Sequence, residues 1–160
     1  MAFKKLSSLV LALWVGVAAA QLIELDPDWT ESDAPPPPTF SLGQLIPLNM
    51  PPYVSLKFGI DPTTLSVTAD GIARYVVVAT NTSGSMTAMY EGIRCATGEV
   101  KTYARFNSSG KWDPVQKPKW QELTGPQPSK HANVLARQGL CEGSTTTGLT
   151  VADIVQALKK

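Results

Sequence analysis

The clearest pattern in the chain is a run of three strand-like segments in the middle of the sequence. Residues 72–81 (IARYVVVATN) are rich in β-branched and aromatic side chains, and residues 85–95 and 100–106 follow after short Ser-Gly and Thr-Gly turns. Segments of this composition favour β-strands, and short turns of this kind join antiparallel neighbours. The pattern predicts an antiparallel meander, with a further strand at residues 53–60 ahead of it.

The last third of the chain changes to helical periodicity. Residues 129–138 (SKHANVLARQ) predict a helix that begins at a Ser cap and ends at Gly139. Thr150 is predicted to cap a second helix with Asp153 as its capping-box partner, followed by an apolar stripe. Strands first and helices afterwards predict an α+β fold, an antiparallel meander of about 4–5 strands with two C-terminal helices on one face.

The N-terminus has the pattern of an export signal. Residues 1–20 (MAFKKLSSLVLALWVGVAAA) combine two lysines, a short apolar run and three small residues, which predicts cleavage before Gln21. The alternative is a retained anchor, but the apolar run is well short of the roughly 20 residues that span a bilayer. We expect a periplasmic protein with no transmembrane segment in the mature chain; secretion or peripheral attachment to the envelope are the alternatives.

A proline-rich arm follows the predicted signal peptide. Residues 21–52 include four consecutive prolines at residues 35–38, which favour extended polyproline II backbone. Apolar residues such as Trp29 and Phe40 are numerous for a disordered segment, so we expect the arm to dock partly on the remainder. Residues 53–160 are predicted to form a single α+β domain.

Charge and cysteine content narrow the classes of function. The formal net charge is +1 and becomes −1 when Lys4 and Lys5 are removed with the signal, which argues against a nucleic-acid partner. Cys95 and Cys141 predict one disulfide in an exported protein, and two free thiols are the alternative. Two cysteines and one histidine do not complete a zinc site without a carboxylate, so we expect no metal and no cofactor.

Two-residue loops at the Ser-Gly and Thr-Gly pairs would fix the register of the meander. Arg74 would then lie opposite Ile93, and Tyr90 opposite Arg105. Because strand side chains alternate, Arg74 and Glu91 would share the apolar face that meets the helices. Opposite charges on an apolar face are expected to pair, so the sequence predicts a structural ion pair between these two residues.

The second face of the predicted sheet interleaves tyrosines with cations. It would carry Tyr75, Tyr90, Arg94, Tyr103 and Arg105. Such side chains stack on and hydrogen-bond to other molecules, which suggests a surface that recognises an envelope protein or an acidic glycan. The alternatives are ordinary solvated cross-strand pairs, or a face covered by the proline-rich arm.

The evidence for catalysis in the sequence is weak. His131 is the only histidine, and no Ser-His-Asp, Cys-His or Gly-x-Ser-x-Gly motif surrounds it. We therefore assign no catalytic residue and expect a non-enzymatic binding or accessory module of the cell envelope. The alternative is a hydrolase of an envelope polymer that uses Glu91 and His131. In that case Glu91 must be reachable from a cleft, whereas a structural Glu91 is buried and paired.

One group of short motifs resembles a known family. The segment Tyr-Glu-Gly-Ile-Arg-Cys at residues 90–95 combines with Asp-Gly-Ile-Ala-Arg-Tyr at residues 70–75, Lys111-Trp112, Trp120 and His131. Over residues 61–160 the chain resembles the cryptic neisserial protein-like family of small exported proteobacterial proteins. The resemblance implies export and a disulfide, and it implies no particular reaction.

Overall fold

A computed structural model describes residues 25–160, so the predicted signal peptide lies outside the described residues. In chain order the elements are β1 (Ile46–Pro47), β2 (Lys57–Ile60), β3 (Ser66–Val67), β4 (Ile72–Thr80), β5 (Met86–Arg94), β6 (Glu99–Phe106), β7 (Trp112–Pro114), β8 (Gln121–Glu122), α1 (His131–Leu135), β9 (Cys141–Glu142), β10 (Thr145–Thr146) and α2 (Val151–Leu158). A 3-10 turn (Pro62–Thr64) separates β2 from β3, and α1 continues directly into a π-helical turn (Ala136–Leu140).

The predicted antiparallel meander is confirmed by the order of the strands. The main sheet runs β1-β2-β4-β5-β6-β7, with β3 paired to β4 and β8 paired to β6, while β9 and β10 form a separate hairpin. The strands are more numerous than the predicted 4–5, because several are only two residues long and too short to show an alternating pattern. The predicted strand at residues 53–60 forms only from Lys57 onwards, and Tyr53 is 84% exposed.

The two predicted helices are present, but the first differs in detail. α2 begins at the predicted Thr150 cap, with the reciprocal Asp153 bonds of a capping box. α1 begins two residues later than predicted, because the Ser129 hydroxyl bonds to the His131 ring and makes no cap bond to the helix backbone. The helical backbone is interrupted at the predicted stop, Gly139, where φ is 153°. A Cβ there would lie 2.9 Å from the Ala157 backbone, so this glycine also permits α2 to approach closely.

The register of β4 against β5 differs from the prediction by one residue. Arg74 pairs with Gly92, not with Ile93. The loop is longer than two residues, because the Asn81 side chain accepts hydrogen bonds from the backbone N–H groups of Ser83 (3.0 Å) and Ser85 (2.9 Å). Relative to β5, a shift of one residue moves every side chain of β4 to the opposite face of the sheet.

The pairing of β5 with β6 contains a β-bulge that the sequence did not predict. The register shifts between Tyr90 and Glu91, so Tyr90 lies opposite Ala104 and Met89 opposite Arg105. An extra residue in one strand reverses which side chains point to each face beyond it. Arg105 consequently lies on the same face as Met89, and not beside Tyr90 as predicted.

The sheet is covered on both sides. The helix face packs against α1 and α2 and buries residues such as Tyr75, Ile93 and Leu135. The arm face buries Val76 and Tyr90 beneath the N-terminal segment, whose Phe40 and Leu45 side chains pack against this cluster. The expected docking of the arm is thus observed, and β1 at its end joins the sheet through β2.

The predicted disulfide between Cys95 and Cys141 is confirmed, with a Cα–Cα distance of 5.7 Å. It joins the residue after β5 to the residue after the π-helical turn, and so ties the helices to the sheet. The chain-entropy treatment gives a loop of this size about 4 kcal/mol of stabilisation. Within residues 25–160, no helix is long and apolar enough to cross a membrane.

Candidate functional site

Glu91 is a buried carboxylate at the centre of the helix face. Its side chain is 3% exposed and accepts three hydrogen bonds. The donors are the Tyr75 hydroxyl (3.1 Å), the Thr102 hydroxyl (3.0 Å) and the His131 ring at Nε2 (2.7 Å). A buried carboxylate without such partners would be very costly, so these bonds permit its burial.

The environment of Glu91 keeps it ionised. Burial by itself raises the pKa of Glu91, but the charge and hydrogen bond of His131, followed by the bonds from Thr102 and Tyr75, outweigh burial and leave the pKa below its ordinary value. Burial, and then the charge of Glu91, raise the pKa of the Tyr75 phenol well above its usual value. Tyr75 therefore stays protonated and acts as a donor.

His131 connects Glu91 to Ser129. It is 5% exposed, lies at the first position of α1 and stacks on the Phe58 ring with a centroid distance of 5.0 Å and an interplanar angle of 7°. Nε2 faces Glu91, and Nδ1 lies 2.5 Å from the Ser129 hydroxyl. The result is a continuous chain of hydrogen bonds, Ser129–His131–Glu91, with the histidine ring held in the middle.

A cleft of about 240 Å³ opens beside this chain. We call it the α1 cleft; its polar walls come from Glu91, Thr102, Arg105, Gln121, Gln127, Ser129 and His131, and apolar side chains including Phe58, Met89 and Val100 complete it. Ser129 is half-buried and Arg105 is exposed. The cleft therefore gives solvent and small ligands access to the serine end of the chain.

Arg105 has an unusual position in the α1 cleft. One of its guanidinium nitrogens lies 3.3 Å from the Met89 sulfur. Among the described residues, no carboxylate lies within ion-pair distance of this guanidinium. A planar guanidinium with free donors is suited to binding a carboxylate or phosphate group.

The predicted ion pair between Arg74 and Glu91 is wrong. The shifted register places Arg74 on the arm face, where its fully buried guanidinium lies 3.3 Å from Asp70 and 3.9 Å from Glu31. It also donates a hydrogen bond to the Thr68 hydroxyl. Arg74 and Glu91 therefore lie on opposite faces of the sheet, and each is paired with a residue on its own face.

Glu31 fixes the arm to the sheet. Its carboxylate accepts hydrogen bonds from Lys101 (2.6 Å), Tyr103 (2.8 Å) and Trp120 (3.0 Å). Burial raises the pKa of Glu31, but the Lys101, Tyr103 and Trp120 contacts outweigh burial and lower it overall. This carboxylate is therefore the electrostatic anchor of the arm.

The five predicted recognition residues do not form one surface. Tyr75 is buried in the helix face, and Arg105 lines the α1 cleft. Tyr90 is 2% exposed, Tyr103 bonds to the arm, and the Arg94 guanidinium stacks 3.6 Å from the Trp29 ring centroid. Tyr90, Tyr103 and Arg94 are thus covered by the arm, which was the alternative expected for this face.

Comparison with known proteins assigns the chain to a family. The family model described as the CNP1-like family matches residues 24–159. The chain belongs to the CNP1-like family. No curated protein and no solved structure gives a significant match.

The extent of the CNP1-like match changes one expectation. The resemblance was expected over residues 61–160, whereas the match begins at residue 24 and includes the described part of the arm. The arm residues that contact the sheet, Trp29, Glu31 and Phe40, thus lie within the family's extent.

Sequence reasoning missed Ser129 and Thr102 as members of the Glu91 site. Ser129 was interpreted as a helix cap, although a serine two residues before the only histidine was a local signal for a side-chain contact. Thr102 gave no signal, because its contact with Glu91 depends on the register of β6 against β5. Within the described part of the chain, no group of three histidine, cysteine or acidic side chains is placed to hold a metal ion.

Proposed function

We propose that this CNP1-like protein is a binding or accessory module of the cell envelope, and that the α1 cleft is its binding site. The proposal includes export by a signal peptide at residues 1–20, a periplasmic location, and identity of the CNP1-like family with the cryptic neisserial protein-like family. The observation that carries the proposal is the guanidinium of Arg105 in a cleft lined by hydrogen-bonding side chains.

The free donors of Arg105 indicate the charge of the ligand. Its neighbours in the cleft include the amide side chains of Gln121 and Gln127 and the hydroxyl of Ser129. A cation beside several neutral hydrogen-bonding groups suits a ligand that carries one carboxylate and several hydroxyls. An acidic sugar at the end of an envelope glycan has this chemistry.

The volume of the α1 cleft limits how much of the ligand it holds. At about 240 Å³ it lies below the range of roughly 300–1,000 Å³ usual for drug-sized ligands. The site therefore fits one end group better than an extended stretch of polymer. Phe58 and Met89 supply the apolar wall against which a sugar ring can pack.

Titration of the ¹⁵N-labelled protein with glucuronate, followed by NMR, tests this proposal. Glucuronate is expected to shift the amide signals of Thr102 and Gln121 in a saturable way, whereas glucose at the same concentration is not. Arg105→Gln is expected to weaken glucuronate binding about 10-fold or more, because a hydrogen bond to a charged group contributes about 1.5–3 kcal/mol.

Arg137→Gln is the matched control. Arg137 is exposed, like Arg105, but lies outside the α1 cleft. This variant is expected to bind glucuronate as the unmodified protein does. Equal binding of glucose and glucuronate, or an Arg105→Gln variant with unchanged affinity, would refute the proposed site.

The alternative of a polymer hydrolase that uses Glu91 and His131 directly is less well supported. A general acid or base must come within hydrogen-bond reach of the bond it acts on. Glu91 is almost completely buried and is already bonded to Tyr75, Thr102 and His131. Although Glu91 lines the α1 cleft, its side chain is only 3% exposed, which leaves a polymer little access to the carboxylate.

A further inference from the structure

The α1 cleft also contains the elements of a catalytic activity that does not depend on glycan binding. A hydroxyl, an imidazole and a carboxylate lie in one hydrogen-bonded line, from Ser129 through His131 to Glu91. We propose that Ser129 is an activated nucleophile that attacks small carboxylic esters, with His131 as its general base and Glu91 as the positioning residue.

The direction of the hydrogen bonds follows from the charge of Glu91. An ionised carboxylate only accepts, so the proton between the two groups belongs to Nε2 of His131. A histidine ring with its single proton on Nε2 has a lone pair on Nδ1. When the ring is neutral, the Ser129 hydroxyl, 2.5 Å from Nδ1, donates its proton to that lone pair, which is the arrangement of an activated serine.

A helix cap is the ordinary role of a serine at this position, and Ser129 does not fill it. No side chain caps the backbone at the start of α1. The hydroxyl is directed to the ring instead of to a main-chain N–H group. The short contact is therefore not explained by helix formation.

The other two members of the line are held rigidly by their surroundings. Phe58 stacks on the His131 ring, while Tyr75 and Thr102 fix the Glu91 carboxylate. A reactive group functions best when neighbouring packing and hydrogen bonds fix its geometry. Ser129, by contrast, is half-buried and lines the cleft, so it is the member that a substrate can reach.

The proposed reaction is hydrolysis of an ester in two steps. The Ser129 oxygen forms a bond to the carbonyl carbon while its proton passes to Nδ1 of His131; the carbon–oxygen bond to the alcohol breaks, and the alcohol leaves with that proton. Water then attacks the acyl-serine and gives a proton to Nδ1, which returns it to the Ser129 oxygen as the free acid departs. The net change is ester plus water to acid plus alcohol.

The small α1 cleft selects the substrate class. About 240 Å³ accommodates a short acyl group, such as acetyl, better than a long acyl chain. Arg105 in the same cleft is a cation available to the negative charge that develops on the carbonyl oxygen. Short-chain O-acyl esters are therefore the substrates we expect.

A fluorophosphonate probe, which reacts covalently with activated serines, tests the proposal in the full-length protein. Intact-mass measurement is expected to show one adduct, and peptide mapping to place it on Ser129. Ser129→Ala should abolish labelling. Ser108→Ala, which removes an exposed serine in the β6–β7 loop, should leave the rate unchanged. His131→Gln should slow labelling about 100-fold, the lower end of what a general base contributes.

Several results would overturn the proposal. These are no adduct under conditions that fully label a known serine esterase, an adduct elsewhere, or unchanged labelling in His131→Gln. Should His131→Gln fail to fold, the pH dependence of labelling in the unmodified protein replaces it: the rate must fall when the ring becomes doubly protonated, and a flat profile contradicts a general base. Glucuronate binding without labelling would refute this proposal alone, and labelling without glucuronate binding would refute the binding module alone.

Discussion

The two faces of the central sheet solve the same problem in different ways. Each face buries one charged side chain near its centre: Arg74 on the arm face and Glu91 on the helix face. Each is hydrogen-bonded to a side chain of a neighbouring element: Arg74 donates to Asp70, and Glu91 accepts from His131. The two networks differ in where they end. One ends in the docked arm and has a structural role, and the other ends at the serine that we propose to be reactive.

The network on the arm face ends in the arm. Arg74 bonds to Asp70, Asp70 accepts from Ser32, and Glu31 accepts from Lys101 beside them. The bonds from Ser32 to Asp70 and from Lys101 to Glu31 fasten the N-terminal segment to the sheet. Docking of the arm is therefore sufficient to explain the network on the arm face.

The network on the helix face ends at a half-buried hydroxyl in a cleft. Glu91 and His131 are enclosed, but Ser129 is reachable from solvent. Burial and hydrogen-bond satisfaction therefore do not distinguish a structural network from a reactive one. The accessibility of the last member does.

Arg74→Met is expected to lower the free energy of unfolding more than the other substitutions on the arm face. It leaves the buried carboxylate of Asp70 without its cation, and removing one partner of a buried ion pair costs about 3 kcal/mol or more. Urea denaturation should show this loss of unfolding free energy, whereas exposed Arg137→Met should change it by less than about 0.5 kcal/mol. Fluorophosphonate labelling of Ser129 in folded Arg74→Met should be unchanged. A stability loss below about 1 kcal/mol would show that the network does not anchor the arm.

The partners of the two buried charges could not be predicted from the sequence, because they depend on the exact register of the strands. The meander, the disulfide and α2 follow from local patterns that do not depend on exact register. The partner of Arg74 depends on one residue in the β4–β5 loop, where the Asn81 side chain takes part in the turn. A register shift of one residue exchanges the faces of a strand, so the sequence predicted two buried charges but paired them wrongly.

The candidate site was partly predictable. Glu91 and His131 were singled out as the pair an enzyme would use, and the fold brings them to 2.7 Å. Ser129 was missed because a serine before a helix is usually a cap. Only the observed orientation of its hydroxyl distinguishes the two roles.

Asp70→Asn tests the arm-face network through the pH dependence of the free energy of unfolding. Burial raises the pKa of Asp70, but hydrogen bonds from Ser32, Thr68 and the Ile72 backbone outweigh it and hold the pKa far below its ordinary value of 3.8. A carboxyl with a lowered pKa stabilises the fold above its unfolded-state pKa, and this contribution is lost as the pH falls. We expect Asp70→Asn to cost about 2 kcal/mol at pH 7.

The stability difference between Asp70→Asn and the unmodified protein should narrow as the pH is lowered from 5 towards 2. Denaturation curves across this range measure it, with Asp113→Asn, an exposed position on β7, as the matched control. A difference that stays constant or widens on acidification would contradict the assigned role of Asp70.

The position of the proton on the His131 ring decides whether Ser129 donates to this histidine or accepts from it. It is the only histidine in the chain, so its ring ¹⁵N signals need no further assignment. We expect the singly protonated ring to carry its proton on Nε2, towards Glu91, and to leave Nδ1 free to accept from Ser129. Long-range ¹H–¹⁵N NMR spectra recorded over a pH titration will distinguish the two nitrogens. A proton on Nδ1 in the neutral ring would make Ser129 an acceptor, and it would contradict the account.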